Sequence, residues 1–182
     1  DKKEFADTSF FNSDGIFTSA NESVIKNNTV YSATNSGVRS HVMNVSFPIF
    51  STWLTPLQGN YTQIAADESI FAASTSQIFK GDGATFNLFA GGFNFIQDIK
   101  LNNGKLIVAD DQEVKRFDIG GALENTVSIN ENINTAILYK NVIYTGTKLS
   151  GLFDENLQPY KPDGPYSNTS YKISLFQNEL YV

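Results

Sequence analysis

The sequence contains no cysteine, which removes disulfides, thiolate metal sites and thiol nucleophiles at once. It has a single histidine, His41, in a strand-like stretch where such a residue more often packs than acts as a base or ligand. No apolar run approaches the ~18 residues of a membrane span. Basic residues are few and scattered, 13 against 19 acidic ones, with Lys2-Lys3 and Lys115-Arg116 the only adjacent pairs. A net charge of −6 and so little clustering exclude nucleic acid as an expected partner, because phosphate binding needs grouped Lys and Arg. Nucleophile elbows, zinc motifs, phosphate loops and dinucleotide fingerprints are all missing. No stretch of helical length keeps a 3.6-residue period. The chain opens on Asp1 without a methionine or a signal-peptide pattern, so a processed or cut piece is expected.

What is present is a repeat. Lys140-Asn141-Val142-Ile143-Tyr144-Thr145-Gly146-Thr147 has counterparts at Asn28–Thr34, Glu68–Ser74, Gly104–Asp110 and Asn178–Val182. With Val30, Ile70, Leu106, Ile143 and Leu180 equivalent, the intervals are 40, 36, 37 and 37 residues. A fixed period of that size is the signature of a repeat architecture. Turn signals recur every 8 to 12 residues, Asn27-Asn28, Gly81-Asp82-Gly83, Asn103-Gly104 and Gly120-Gly121 among them. Asn-Gly is the strongest short hairpin signal of the set.

These features predict an all-β fold, a β-propeller of four-stranded antiparallel blades about 37 residues long. Four blades would be complete and a fifth partial. Ala33, Ala72, Ala73 and Gly146 place the second strand of each repeat near the crowded axis. Tyr31, Phe71, Tyr144 and Tyr181 are expected to pack between blades. Strands covered on both faces should not alternate cleanly. The segment 47–60, with two prolines and the only tryptophan, Trp53, reads as an irregular loop that lengthens the first repeat. Ser9–Gly15 resembles Gln77–Gly83, a third strand with its turn. It could close a ring by completing the last blade, or belong to a larger array; the favoured expectation is a fragment of a larger protein.

Candidate chemistry is sparse. Asp110-Asp111 and Asp154-Glu155 are adjacent carboxylates beside turns, suited either to turn formation or to glycoside chemistry at a defined separation. Gly81-Asp82-Gly83 and Asp163-Gly164 lack the alternating oxygen ligands of a calcium loop. Trp53, with Phe50 and Tyr61, could line a sugar-binding rim or pack inside. Asn-x-Ser/Thr sequons at Asn21, Asn27, Asn44, Asn60 and Asn168 are near what this composition gives by chance. No catalytic, cofactor-binding or metal-binding residue is designated, and the ligand-binding residues stay open.

Tyr160-Lys161-Pro162-Asp163-Gly164-Pro165-Tyr166-Ser167-Asn168, followed by Lys172–Leu175 and Glu179–Val182, resembles a segment of the PorZ-like propellers. Those are surface components of the type IX secretion system of Bacteroidetes. Val30–Gly37 and Ile143–Leu152 are similar to repeats of that family, though such motifs are general to bacterial propellers and sensor ectodomains. The resemblance implies a non-catalytic scaffold, secreted or at the cell surface and associated with the outer membrane. Its implied partners are other proteins of a surface complex and lipopolysaccharide or another glycan, with no cofactor. The alternative is a carbohydrate-binding or ligand-sensing propeller, cued by the aromatics from Phe50 to Tyr61; a third class is a glycan-active enzyme using Asp110 or Asp111.

Overall fold

The computed structural model describes residues 10–13, 16–160, 169–177 and 179–182, without the side chains of residues 10–17 and Phe50. Ser9, Asp14-Gly15, Asp163-Gly164 with the rest of 161–168, and Asn178 therefore lie outside the described residues. The chain divides into two compact units, residues 1–91 and 92–182.

In the first unit one sheet runs β1 (Phe10–Ser13), β2 (Ile16–Lys26), β3 (Thr29–Thr34), β4 (Gly37–Val42), β5 (Leu54–Leu57). A second runs β6 (Gln63–Ala66), β7 (Ile70–Ala73), β8 (Gln77–Gly81), β9 (Phe86–Gly91). In the second unit β10 (Ile96–Asn102), β11 (Lys105–Asp110), β12 (Glu113–Asp118) and β13 (Leu123–Ser128) form one sheet. β14 (Ile133–Tyr139), β15 (Val142–Thr147), β16 (Leu152–Asp154) and β17 (Pro159–Tyr160) form the next, and β18 (Ser174–Phe176) pairs with β19 (Glu179–Tyr181). All pairings are antiparallel and join neighbours in sequence. Four blades and two strands of a fifth are thus present as expected, three of the blades four-stranded and the first five-stranded through β1.

The hairpins between first and second strands follow from local chemistry. Asn27 and Asn28 have φ of 48° and 58°, Asn103 and Gly104 51° and 69°, Lys140 and Asn141 48° and 64°. Two successive positive φ values make the type I′ turn whose twist matches paired strands, and Asn and Gly tolerate it best.

Second-strand residues alternate between two buried faces. Tyr31 and Ala33 meet Ile64, Ile70 and Ala72 of the second repeat. Ile107 and Ala109 meet Ala136, Leu138 and Ile143, while Tyr144 packs with Ile173 and Leu180. Burying an isoleucine such as Ile70 or Ile143, both at 0% exposure, contributes about 1.5–3 kcal/mol. Of the four aromatics expected between repeats, Tyr31 and Tyr144 are there. Tyr31 lies over Gly83 of the next repeat, where a Cβ would collide with its hydroxyl. Phe71 is fully buried and meets Phe89 of its own sheet, and Tyr181 is half exposed against Phe176 of its own hairpin.

Three expectations need correction. Consecutive repeats approach through their first strands, β2 to β6 and β10 to β14, so the small-residue second strand lies one place further out. Gly146 there admits the next repeat: a Cβ on it would meet Ser170 Cβ of that repeat at 2.7 Å and, in its own sheet, Thr135 Cγ2 at 2.9 Å. Segment 47–60 is not wholly irregular, since it contains a 3₁₀ turn at Phe50–Thr52 and the outer strand β5. Pro56 is tolerated there because β5 pairs on one side only, with β4. Finally, the strand expected near Ser9–Gly15 exists as β1, and it pairs with Ile16–Ser19 of β2. The β18–β19 sheet gains no third strand among the described residues.

Candidate functional site

The buried carboxylates are spent on structure. Asp110, 1% exposed, accepts the Phe95 N–H at 2.8 Å and the Lys115 ammonium at 2.7 Å. Lys115 also meets Glu113 at 2.8 Å and lies over the Phe93 ring. Burial, the largest single influence on Lys115, pulls its pKa down; the bonds to Asp110 and Glu113 together outweigh it and hold it above the usual lysine range. Asp111 occupies the following turn at φ 52°. Asp154 Oδ1 accepts the N–H groups of Asn156 and Gln158 at 2.9 and 3.0 Å, the arrangement of an Asx turn. Glu155 Oε2 accepts the Ile143 N–H at 3.3 Å. Asp82 does similar work for Ala84 and Thr85, and the backbone hydrogen bonds of Thr85 and Ala84 hold its carboxyl below the usual range. Among the described residues no group of three His, Asp or Glu is placed to hold a metal ion.

The first-repeat loop between β4 and β5 is the most distinctive surface. His41 ends up 8% exposed, its Nδ1–H donating to the Val42 carbonyl and its Nε2 2.7 Å from the Thr52 hydroxyl. Its ring lies 5.9 Å from Phe47 and 5.6 Å from Trp53, and those two rings are 5.1 Å apart. Trp53 Nε1–H donates to the Phe47 carbonyl at 3.0 Å. Trp53 and Tyr61 are 8% and 4% exposed, so neither offers the free ring face that a sugar-binding rim needs. Burial pushes the Tyr61 phenol above its usual range. Of the two expectations for these residues, packing inside holds for Trp53, against Phe47 and His41, and for Tyr61, against Phe79 and the first two repeats, while several aliphatic side chains of the loop are exposed. Val42, Met43, Ile49 and Leu54 are 46–69% exposed and Val45 is 99% exposed. Sequence reading missed this surface, although a signal existed: from Ser40 to Ala66 there is no Asp, Glu, Lys or Arg.

A second feature is an open depression of about 410 Å³ over the first strands of the third to fifth repeats. Lys100, Leu101, Asn102, Ile137, Ile173, Ser174 and Leu175 line it. The Lys100 ammonium is held at 2.8 Å by Asp98, and Asn102 Nδ2–H donates to the Leu138 carbonyl at 2.7 Å. A cation, an amide and an apolar floor could seat a small acidic or polar molecule.

No protein-family profile and no curated protein matches the chain. Solved structures do. The designed protein Ika8 superposes with a TM-score of 0.67 at 16% identity, covering 92% of this chain and 56% of its own. The WD40 β-propeller domain of Doa1 gives 0.69 at 14% identity, covering 87% and 59%. The extracellular domain of a one-component-system protein from B. thetaiotaomicron gives 0.65 at 14% identity, covering 89% of this chain and 24% of that one. The chain thus spans somewhat over half the length of the first two. Together with the four-stranded antiparallel repeats, these likenesses establish the fold as β-propeller repeats.

Proposed function

We propose that the chain is a non-catalytic propeller scaffold at a bacterial cell surface, binding partner proteins or a glycan. The observation that carries this reading is the fate of the carboxylates: Asp98, Asp110, Asp154 and Glu155 each serve a turn, a strand end or the next repeat. A reacting group needs a partner in the substrate, and these have theirs in the fold. The resemblance of the repeats to PorZ-like propellers extends the proposal to a surface complex of the type IX secretion system. The relevant experiment is deletion of the gene in the bacterium that encodes it, followed by a surface proteome. Loss of a defined set of attached secreted proteins, restored by the intact gene, is the expected result. An unchanged surface would overturn the scaffold reading.

A ligand-sensing role is the second reading, favoured by the depression around Lys100 and by the likeness to the extracellular domain of the one-component-system protein from B. thetaiotaomicron. Thermal shift against a panel of small acids and sugars tests it. A shift lost in Lys100→Met would promote it over the scaffold.

A further inference from the structure

The depression over β10, β14 and β18 carries a one-sided set of polar groups. These strands each open a repeat and pair on one side only, with β11, β15 and β19. Lys100, Asn102 and Ser174 are the polar residues lining it, and none of its lining residues is acidic or aromatic. An ammonium has three hydrogens to donate. Lys100 gives one to Asp98 Oδ1 at 2.8 Å, and the other two have no acceptor among the described residues. Its side chain is 19% exposed, so the charge is neither sealed in nor fully in water. Asn102 spends one amide N–H on the Leu138 carbonyl at 2.7 Å and keeps a second. Ser174 is exposed, with a hydroxyl free to donate. Leu101, Ile137 and Leu175 supply the aliphatic walls.

We infer that the depression binds a small aliphatic carboxylate, a monoanion with a short apolar body. This rests on the ligand-sensing reading and names the class of its ligand. Every polar side chain there can donate, and a carboxylate only accepts, with two oxygens to share among Lys100, Asn102 and Ser174. A sugar brings hydroxyl donors of its own and suits an aromatic face. The lining holds neither a carboxylate to receive those donors nor a ring to stack on. A phosphate dianion is disfavoured by charge, because the single cation is already shared with Asp98. One negative charge is what the remaining donors of Lys100 can meet. The carboxylate's body of a few carbons then lies against Leu101, Ile137 and Leu175, which keep water from the charge-assisted bonds.

Titration of the isotope-labelled chain with isovalerate at neutral pH, followed by amide NMR, tests the inference. The amides of Leu101, Ser174 and Leu175 should shift together and saturate. Isovaleramide, the uncharged analogue of the same shape, should bind about tenfold more weakly because it loses the charge-assisted bonds. Methyl glucoside should leave these amides unmoved. Ser174 is exposed, so its charge can be changed without touching the core, and an unchanged melt checks each variant. Ser174→Asp should weaken isovalerate about tenfold and Ser174→Lys should strengthen it by a similar factor. Leu149→Asp, exposed and outside the depression, should change nothing. Equal binding of isovalerate and its amide, or binding of isovalerate that both Ser174 variants leave unaltered, overturns the carboxylate and leaves a sensing role standing. Binding of methyl glucoside alone has the same consequence. If none of the three probes moves these amides the inference also fails, and the wider panel of small acids and sugars then decides the sensing reading by itself.

Discussion

The Thr135 hydroxyl in β14 donates to Asp98 Oδ2 in β10 at 2.5 Å, across the boundary between two repeats. Thr135 Oγ1 in turn accepts the Ile173 N–H of the following repeat at 3.4 Å. One buried threonine therefore connects three repeats and shares a carboxylate with Lys100. Ten residues on, Thr145 of β15 is equally buried, yet its hydroxyl has no hydrogen-bond partner among the described residues. Valine has nearly the shape of threonine, so the two sites separate hydrogen bonding from packing. Thr135→Val should cost about 2–3 kcal/mol in urea titration, because it leaves a buried carboxylate oxygen and an N–H short of a partner. Thr145→Val should be neutral or stabilising by about 1 kcal/mol. Equal effects at both positions would refute the assignment.

A second inter-repeat device recurs at strand bulges. Asn134 stands at the register shift in β14 and donates through Nδ2 to the Ser170 carbonyl at 3.0 Å. Asn21 stands at the equivalent shift in β2 and reaches the Tyr61 carbonyl at 2.7 Å. A bulge re-aims one side chain, here toward the next repeat. Asn134→Ala and Asn21→Ala are each expected to cost about 1–2 kcal/mol in chemical denaturation. A null result at both sites would reduce the bulge to mere geometry.

The repeats were legible because their hairpins are written locally. Asn27-Asn28 and Asn103-Gly104 demand their turns, and the residues between Val142 and Thr147 demand a strand. β5 was not legible, because an edge strand containing Pro56 is specified by its neighbour β4 and not by its own pattern. The place of Gly146 was misjudged for a related reason: a small residue announces a close approach without saying by what, and Ser170 supplies the answer. At the candidate site, Trp53 was recognised as unusual but its direction was not readable. Burial of its ring depends on Phe47 and His41, which the sequence separates from it by several residues and a 3₁₀ turn.

Gly146 gives a direct steric test. In Gly146→Ala the new methyl would sit 2.7 Å from Ser170 Cβ and 2.9 Å from Thr135 Cγ2, both short, stiff side chains. Overpacking of that kind costs about 1–3 kcal/mol. Gly104→Ala, with open space around its Cβ but φ of 69°, should be limited to backbone strain of about 1 kcal/mol. Comparing the two melts measures how closely the repeats approach.

The Lys140-Asn141 turn should be improvable. Lys140 holds φ of 48° where the first repeat uses Asn27 at the same value. Lysine has no side-chain group suited to the left-handed region, whereas asparagine does. Lys140→Asn should stabilise by about 0.5 kcal/mol, after losing the contact of its ammonium over the Tyr139 ring at 4.9 Å. A loss of stability would mean that the ring contact outweighs the turn.

The Lys115–Asp110 pair links stability to alkaline pH. Asp110 is 1% exposed, so Lys115→Met, which keeps the stem but removes the cation, leaves a buried carboxylate without its counter-charge. The expected cost at neutral pH is about 3 kcal/mol. Because Lys115 is held above the ordinary lysine range, folding favours its protonated form. That contribution is complete below the unfolded lysine value of about 10.4 and is lost as pH rises through the higher folded value. Tyr61 loses stability over the same range, since burial keeps its phenol neutral in the folded state while the unfolded phenol ionises. The informative quantity is therefore the difference between the original protein and Lys115→Met, followed by urea titration from neutral pH to about pH 11. It should stay constant up to about pH 10 and shrink above it. A difference that does not change with pH would place the effect of Lys115 in its packing over Phe93 and not in its charge.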